Sequence, residues 1–152
     1  MIYIGIDPGM TGSMCIKHND KIEFYDYKTE GILGYSEAIL TVTFEMKLAY
    51  KITLEKVHSM SGQGVKSVFS FGQRLGELEG MLQTLDVEYD TVRPQTWQKS
   101  IGVPVKSGKE GIYNVVRITL EDDSVLLGPK GGIKDGKCDA LGIVLHTEKV
   151  NS

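Results

Sequence analysis

Residues 1–12 read MIYIGIDPGMTG, and this stretch decides the fold. Ile2, Tyr3, Ile4 and Ile6 form the apolar run of a buried strand over residues 2–7. One carboxylate, Asp7, interrupts that run just before Pro8 and Gly9. An acid in core sequence is costly unless something pairs with it. A metal ion or a metal-bound phosphate is the usual partner. The turn Asp7-Pro8-Gly9 and the small residues up to Gly12 let backbone and ligand approach closely. The chain thus opens on a candidate cation site, and the other members of that site have to be sought downstream.

Working outward, residues 12–18 (GSMCIKH) predict a second strand, and His18-Asn19-Asp20-Lys21 a tight hairpin turn. Residues 22–27 alternate apolar and polar, as a half-buried third strand does. A helix is predicted over 35–49, with Ser36 as a possible cap and Ala38, Ile39, Val42, Met46 and Ala49 at helical spacing. The β-branched run Thr41-Val42-Thr43 fits that helix poorly. In KITLEKVHSM (51–60), Ile52, Leu54 and Val57 suit a buried strand, and Glu55 is a second acid set in apolar sequence. Gly62 and Gly64 then break the chain.

Residues 65–85 carry the strongest helical pattern, with Leu75, Leu78, Leu82 and Leu85 at three- and four-residue spacing. Gly72, Gly76 and Gly80 lie on one face of it. Each costs ~1 kcal/mol of helix propensity relative to alanine, so the stripe calls for close approach to a sheet or a second helix. Phe69 and Phe71 read as core residues. Val87–Val92 predicts another strand, QTWQKSIGV (95–103) a short helix packing Trp97 between helix and sheet, and 109–120 a further helix. A Gly/Lys-rich loop over 128–136 leads into a closing helix, CDALGIVLHTEKV (138–150). Three strands, a helix, a strand, a helix, a strand and then helices predict an α/β fold: an antiparallel meander first, then parallel strands added through crossovers. In such a sheet the strands of Asp7 and Glu55 lie side by side.

The totals fit this picture. The 152 residues suffice for one domain, 1–152, with a substantial core. A 41% hydrophobic and 24% charged composition is that of a soluble globular protein. No apolar run approaches the ~20 residues of a membrane span, and no basic region precedes a hydrophobic signal core, so a cytoplasmic, membrane-free protein is expected. Cys15 and Cys138 lack metal-site spacing and read as small buried thiols. A net charge of −3 runs against nucleic-acid binding, but distribution outweighs the sum. Arg93, Lys99, Lys106, Lys109 and Arg117 face only Glu110 within 91–117, and Lys130, Lys134 and Lys137 follow in the glycine-rich loop.

Asp7, Glu55, Asp135 and Asp139 share a placement at or beside apolar segments. Convergent carboxylates in a dry pocket cannot all ionise without a cation. Oxygen ligands of this kind favour Mg²⁺ or Mn²⁺, and two such ions ~3.5–4 Å apart suit in-line attack of water on a phosphodiester. Plainer readings stand beside this one. Asp7 could simply form its turn, Glu55 pair with a lysine, Asp139 complement a helix dipole and Asp135 serve the loop before Gly136.

With these residues in hand, the chain resembles the RuvC family of Holliday-junction resolvases, within the RNase H-like (retroviral integrase) superfamily. The likeness is greatest to the small RuvC-like enzymes of bacteriophages of Gram-positive hosts. IGIDPGMTG, ITLEKV with FGQRLGELEG, PQTWQKSIG…KSGKEG and DGKCDALGI carry it, in family order. The resemblance implies an RNase H-like mixed five-stranded sheet flanked by helices. It implies Mg²⁺-dependent (or Mn²⁺-dependent) nicking of opposed strands of four-way junctions and other branched DNA, with two ions per site. Asp7, Glu55 and Asp139 would be ligands. Asp135 would be the fourth, although many members space the last two acids by three rather than four. A homodimer through the helix at 65–85 is implied, as are DNA contacts by His58, Lys99, Lys106 and Lys109, with Lys134 and Lys137 added from the loop. Two other readings compete: a non-catalytic branched-DNA-binding module, and an actin-like ATP-binding domain, to which DPGMTG is also similar.

Overall fold

The computed structural model describes residues 1–56 and 64–152. One five-stranded sheet organises them. β1 (Ile2–Ile6), β2 (Ser13–His18) and β3 (Lys21–Asp26) form an antiparallel meander. β4 (Tyr50–Glu55) and β5 (Asp90–Val92) extend the sheet in parallel from the other edge of β1. The order across the sheet is β3-β2-β1-β4-β5. The mixed sheet and the neighbouring of β1 and β4 are as the sequence predicts.

Alternation along the strands divides the apolar residues between two cores. On one face Ile2, Ile4, Ile6, Ile52 and Leu54 meet α1 (Tyr27–Leu40) and α2 (Val65–Thr84) through Tyr35, Ile39, Leu78 and Leu82. On the other, Tyr3, Cys15 and Val92 meet α3 (Pro94–Ser100), α4 (Gly108–Val116) and α5 (Asp135–Val150) through Trp97, Ile112, Val116, Leu141 and Val144. Gly5 faces this second layer, where α5 crosses β1. A methyl group added at Gly5 would lie 2.5 Å from the Ala140 carbonyl oxygen and 2.9 Å from the Val144 nitrogen. The same constraint recurs at Gly136, where a methyl group would lie 2.0 Å from the carbonyl oxygen of Thr11. These two glycines let the first half of α5 lie directly on β1 and on the turn that follows Asp7.

Several elements differ from expectation. The helix predicted over 35–49 starts at Tyr27 and gives way after Leu40 to a π-helical turn, Thr41–Glu45. Gly31, at φ 61° and ψ −171°, interrupts its first turns and hides them from the periodic pattern. Ser36 caps nothing; its hydroxyl donates to Ile32 O within the helix at 2.8 Å. The strand predicted over 87–92 shortens to Asp90–Val92 because Val87 N–H donates back to Leu82 O and closes the end of α2. The closing helix starts three residues early, at Asp135.

α2 is held by one face only. Leu75, Leu78 and Leu82 join the first core, the Arg74 guanidinium lies 3.4 Å from the Tyr27 ring centroid, and Tyr27 donates to Glu77 at 2.6 Å. Among the described residues the glycine stripe meets neither the sheet nor another helix. Methyl groups added at Gly72, Gly76 and Gly80 would touch none of the described residues within 4 Å. Phe69, read as core from the sequence, is 73% exposed beside them, and Phe71 is half-buried.

Replacing Gly5 by alanine forces α5 off the sheet. The G5A variant is expected to lose about 1–3 kcal/mol of stability in urea titrations, and an unchanged midpoint would refute the close crossing.

Candidate metal centre

Ile6 pairs with Leu54 in parallel register, so the next residues, Asp7 and Glu55, emerge side by side at the carboxyl ends of β1 and β4. Both side chains point to the α5 layer. Thr53, two residues before Glu55, marks that face by accepting a hydrogen bond from Thr147 of α5 at 2.8 Å. The early start of α5 puts Asp135 and Asp139 one turn apart on one side of the helix. Its N-terminal end sits against Thr11 and Gly12, close beside Asp7. The turn reading of Asp7 is met as well: Gly9 N–H donates to its Oδ1 at 2.9 Å.

Asp7 is 7% exposed and Glu55 6%. Burial pushes the Asp7 carboxyl up to about 6, against the pull of the Gly9 N–H and with a further push from Asp135. Glu55 rises to about 7 through burial and then the charge of Asp7, opposed by a hydrogen bond from Trp97. Asp139 rises to about 8, through burial first and then through Asp7, Glu55 and Asp135 in turn. Asp139 therefore feels all three other acids.

This arrangement is a set of hard oxygen donors carrying more charge than the pocket tolerates. Asp135 keeps one buried oxygen, Oδ1, with no hydrogen-bond partner among the described residues, while its Oδ2 lies 3.2 Å from the Lys109 ammonium. Among the described residues, no three His, Cys, Asp or Glu side chains yet close around one point as a finished cage. A hard divalent cation fits the donor chemistry, the mutual repulsion and the spare oxygen of Asp135.

The predicted basic residues distribute unevenly. Lys109 reaches Asp135, and Lys134 and Lys137 line a cleft of about 360 Å³ beside it, together with Thr11, Ser13 and Asp26. The Lys137 ammonium lies 3.4 Å from Asp26 and 5.5 Å from the Phe24 ring centroid, and its side chain is only 11% exposed. Lys106 is exposed on the loop before α4. Lys99 lines a separate groove with Lys149, ten residues along α5 from Asp139, or roughly 15 Å of helix. His58 lies outside the described residues. A larger cleft, about 750 Å³, is at the opposite end of the sheet, between Leu48, Tyr50, Val87 and Asp90, and is lined by none of the four acids.

Trp97 does more than the packing read from the sequence. It is fully buried, and its indole N–H donates to Glu55 Oε1 at 2.7 Å. The available signal was chemical: a buried indole N–H needs an acceptor, and this is the only tryptophan of the chain.

No family model matches the sequence, and no curated protein matches it. Solved structures do. Thermus thermophilus RuvC bound to a Holliday-junction substrate aligns at a TM-score of 0.60 and 17% identity, over 96% of this chain and 92% of that one. A second Thermus thermophilus RuvC structure gives 0.58 and 16%, over the same shares. The likeness establishes a RuvC-like, RNase H-like fold.

The raised acids link stability to pH. The folded state holds the Asp7 proton more tightly than the unfolded chain does. The stabilisation from that proton is complete below the ordinary aspartate range and is lost as pH rises through about 6. In EDTA at pH 7.5, D7N, which still accepts from Gly9, is expected to be more stable than the native chain by about 1–3 kcal/mol, with the gap closing towards pH 4. Thermal melts across that range check it, and a less stable variant at pH 7.5 would contradict the crowding of the acids.

Proposed function

We propose that this chain is a divalent-metal-dependent endonuclease of branched DNA, a small resolvase of the phage RuvC type. In this reading residues 1–152 act as one nuclease domain in the cytoplasm. The observation that carries it is the placement of acids from three separate segments at one corner of a RuvC-like scaffold: Asp7 and Glu55 at neighbouring strand ends, and Asp135 and Asp139 on the first turns of the helix that sits against Thr11 and Gly12. A module that only binds DNA gains nothing from carboxylates set beside phosphates.

Asp7, Glu55 and Asp139 are the proposed metal ligands, with Asp135 completing the set. Mg²⁺ or Mn²⁺, two ions in each site, supplies activation of water for in-line attack and stabilisation of the leaving 3′-oxygen. The protein's own part is to hold rigid oxygens on both strand ends and on one helix. Lys109 and Lys134 offer charge to phosphates beside the acids. Lys137, tethered by Asp26, shapes the wall of the adjoining cleft. Lys99 and Lys106, with His58, are proposed contacts further from the reacting bond. Across α2, Gly72, Gly76 and Gly80, which no described residue covers, and the exposed Phe69 support a symmetric homodimer, whose two sites would match the pseudo-two-fold symmetry of a four-way junction.

Labelled four-way junctions, forks and linear duplex, incubated with Mg²⁺, Mn²⁺ or EDTA, test the activity. Cleavage of the junction in both metals and none in EDTA is expected. D7N should retain junction binding and lose cleavage by about three orders of magnitude or more. Cleavage at the native rate by D7N would overturn the ligand assignment. Junction binding by the native chain without cleavage in either metal would favour the binding module.

The dimer has its own test. Sedimentation equilibrium should find the native chain dimeric and F69E monomeric with an unchanged circular dichroism spectrum. A monomeric native chain would remove α2 as an interface.

A further inference from the structure

We infer that Trp97 is the positioning residue of the acid cluster: its indole N–H fixes Oε1 of Glu55, and with it the orientation of a carboxylate that would hold a cation. The inference rests on the metal-dependent reading above and adds to it the group that orients a ligand.

Glu55 ends its strand with a side chain that has torsional freedom of its own, and a carboxylate that swings loses the geometry a hard cation demands. The Trp97 bond to Oε1, at 2.7 Å between two buried groups, removes that freedom. The indole is itself immobilised. Gly142 on α5 leaves the space that the ring fills; a methyl group there would lie 2.4 Å from Trp97 Cζ3. At the end of α3, the Ser100 hydroxyl donates to Trp97 O at 2.8 Å and lies 2.6 Å from His146 Nδ1, and the Lys149 ammonium donates to Ser100 O at 2.6 Å. Two residues of α5 thus lock the end of the helix whose central residue holds Glu55. A tryptophan retained for bulk alone would not require its N–H to meet a metal-site acid.

The variant W97F keeps a ring in the core and removes only the donor and part of the ring area. Isothermal titration of the native chain with Mn²⁺ should show binding, and W97F should bind about tenfold more weakly or worse. Equal affinity in a folded W97F would overturn the positioning role while leaving the nuclease reading intact. No Mn²⁺ binding by the native chain, with no junction cleavage, would overturn both. A second measurement needs no variant. The chain has a single tryptophan, so its emission reports the surroundings of this one indole, the Glu55 carboxylate among them. Addition of Mg²⁺ should shift the emission, saturating with the calorimetric affinity for that ion. Emission that stays constant while Mg²⁺ binds would equally overturn the role.

Discussion

The parallel, in-register pairing of β1 with β4 is the constraint on which the site depends. It sets two acids from distant parts of the chain next to each other, at the end of a sheet whose buried positions are mostly apolar. Like charges so placed, and so thoroughly buried, oppose folding. The opposition persists because the glycines at 5 and 136 draw α5 down onto the sheet and add Asp139 and Asp135 to the same corner. The apolar contacts of two cores, one on each face, carry the cost of that crowding. Such a corner is stable enough to exist and electrically unsatisfied enough to take up positive charge.

The strand order, and the acids that stand out against apolar sequence, are legible because both rest on local signals. A period of two with a misplaced acid marks β1, and the same pattern marks β4. The position of the third strand was off by only one residue. Helix boundaries were less legible. Gly31 broke the pattern of α1, and the crowded Thr41-Val42-Thr43 run widened into a π-turn rather than extending an α-helix. The glycines of α2 show the limit most clearly. Their spacing announced a close neighbour, but the sequence of one chain cannot say whether that neighbour lies in the same chain. Here the described residues supply none.

Hydrogen bonds between side chains far apart in sequence left the weakest trace. Nothing in PQTWQKSIG specifies that Trp97 reaches Glu55, 42 positions earlier. That meeting follows from where α3 is placed by the end of β5 and by the flat surface that Gly142 offers on α5. The lysines behave similarly. Lys137 and Lys99 look equivalent as letters, yet one is drawn into an ion pair beside a phenyl ring and the other lines a groove with Lys149 well along α5.

The sheet also acts as a partition. The four acids, with Trp97, lie on the side of α5, and the bodies of α1 and α2 pack behind the opposite face across Ile4, Ile6, Ile52 and Leu54; only the first turn of α1, at Lys28 and Thr29, reaches round to the cleft beside Asp135. The outward face of α2 can accordingly vary with little disturbance to the acid corner, because the whole thickness of the sheet stands between them.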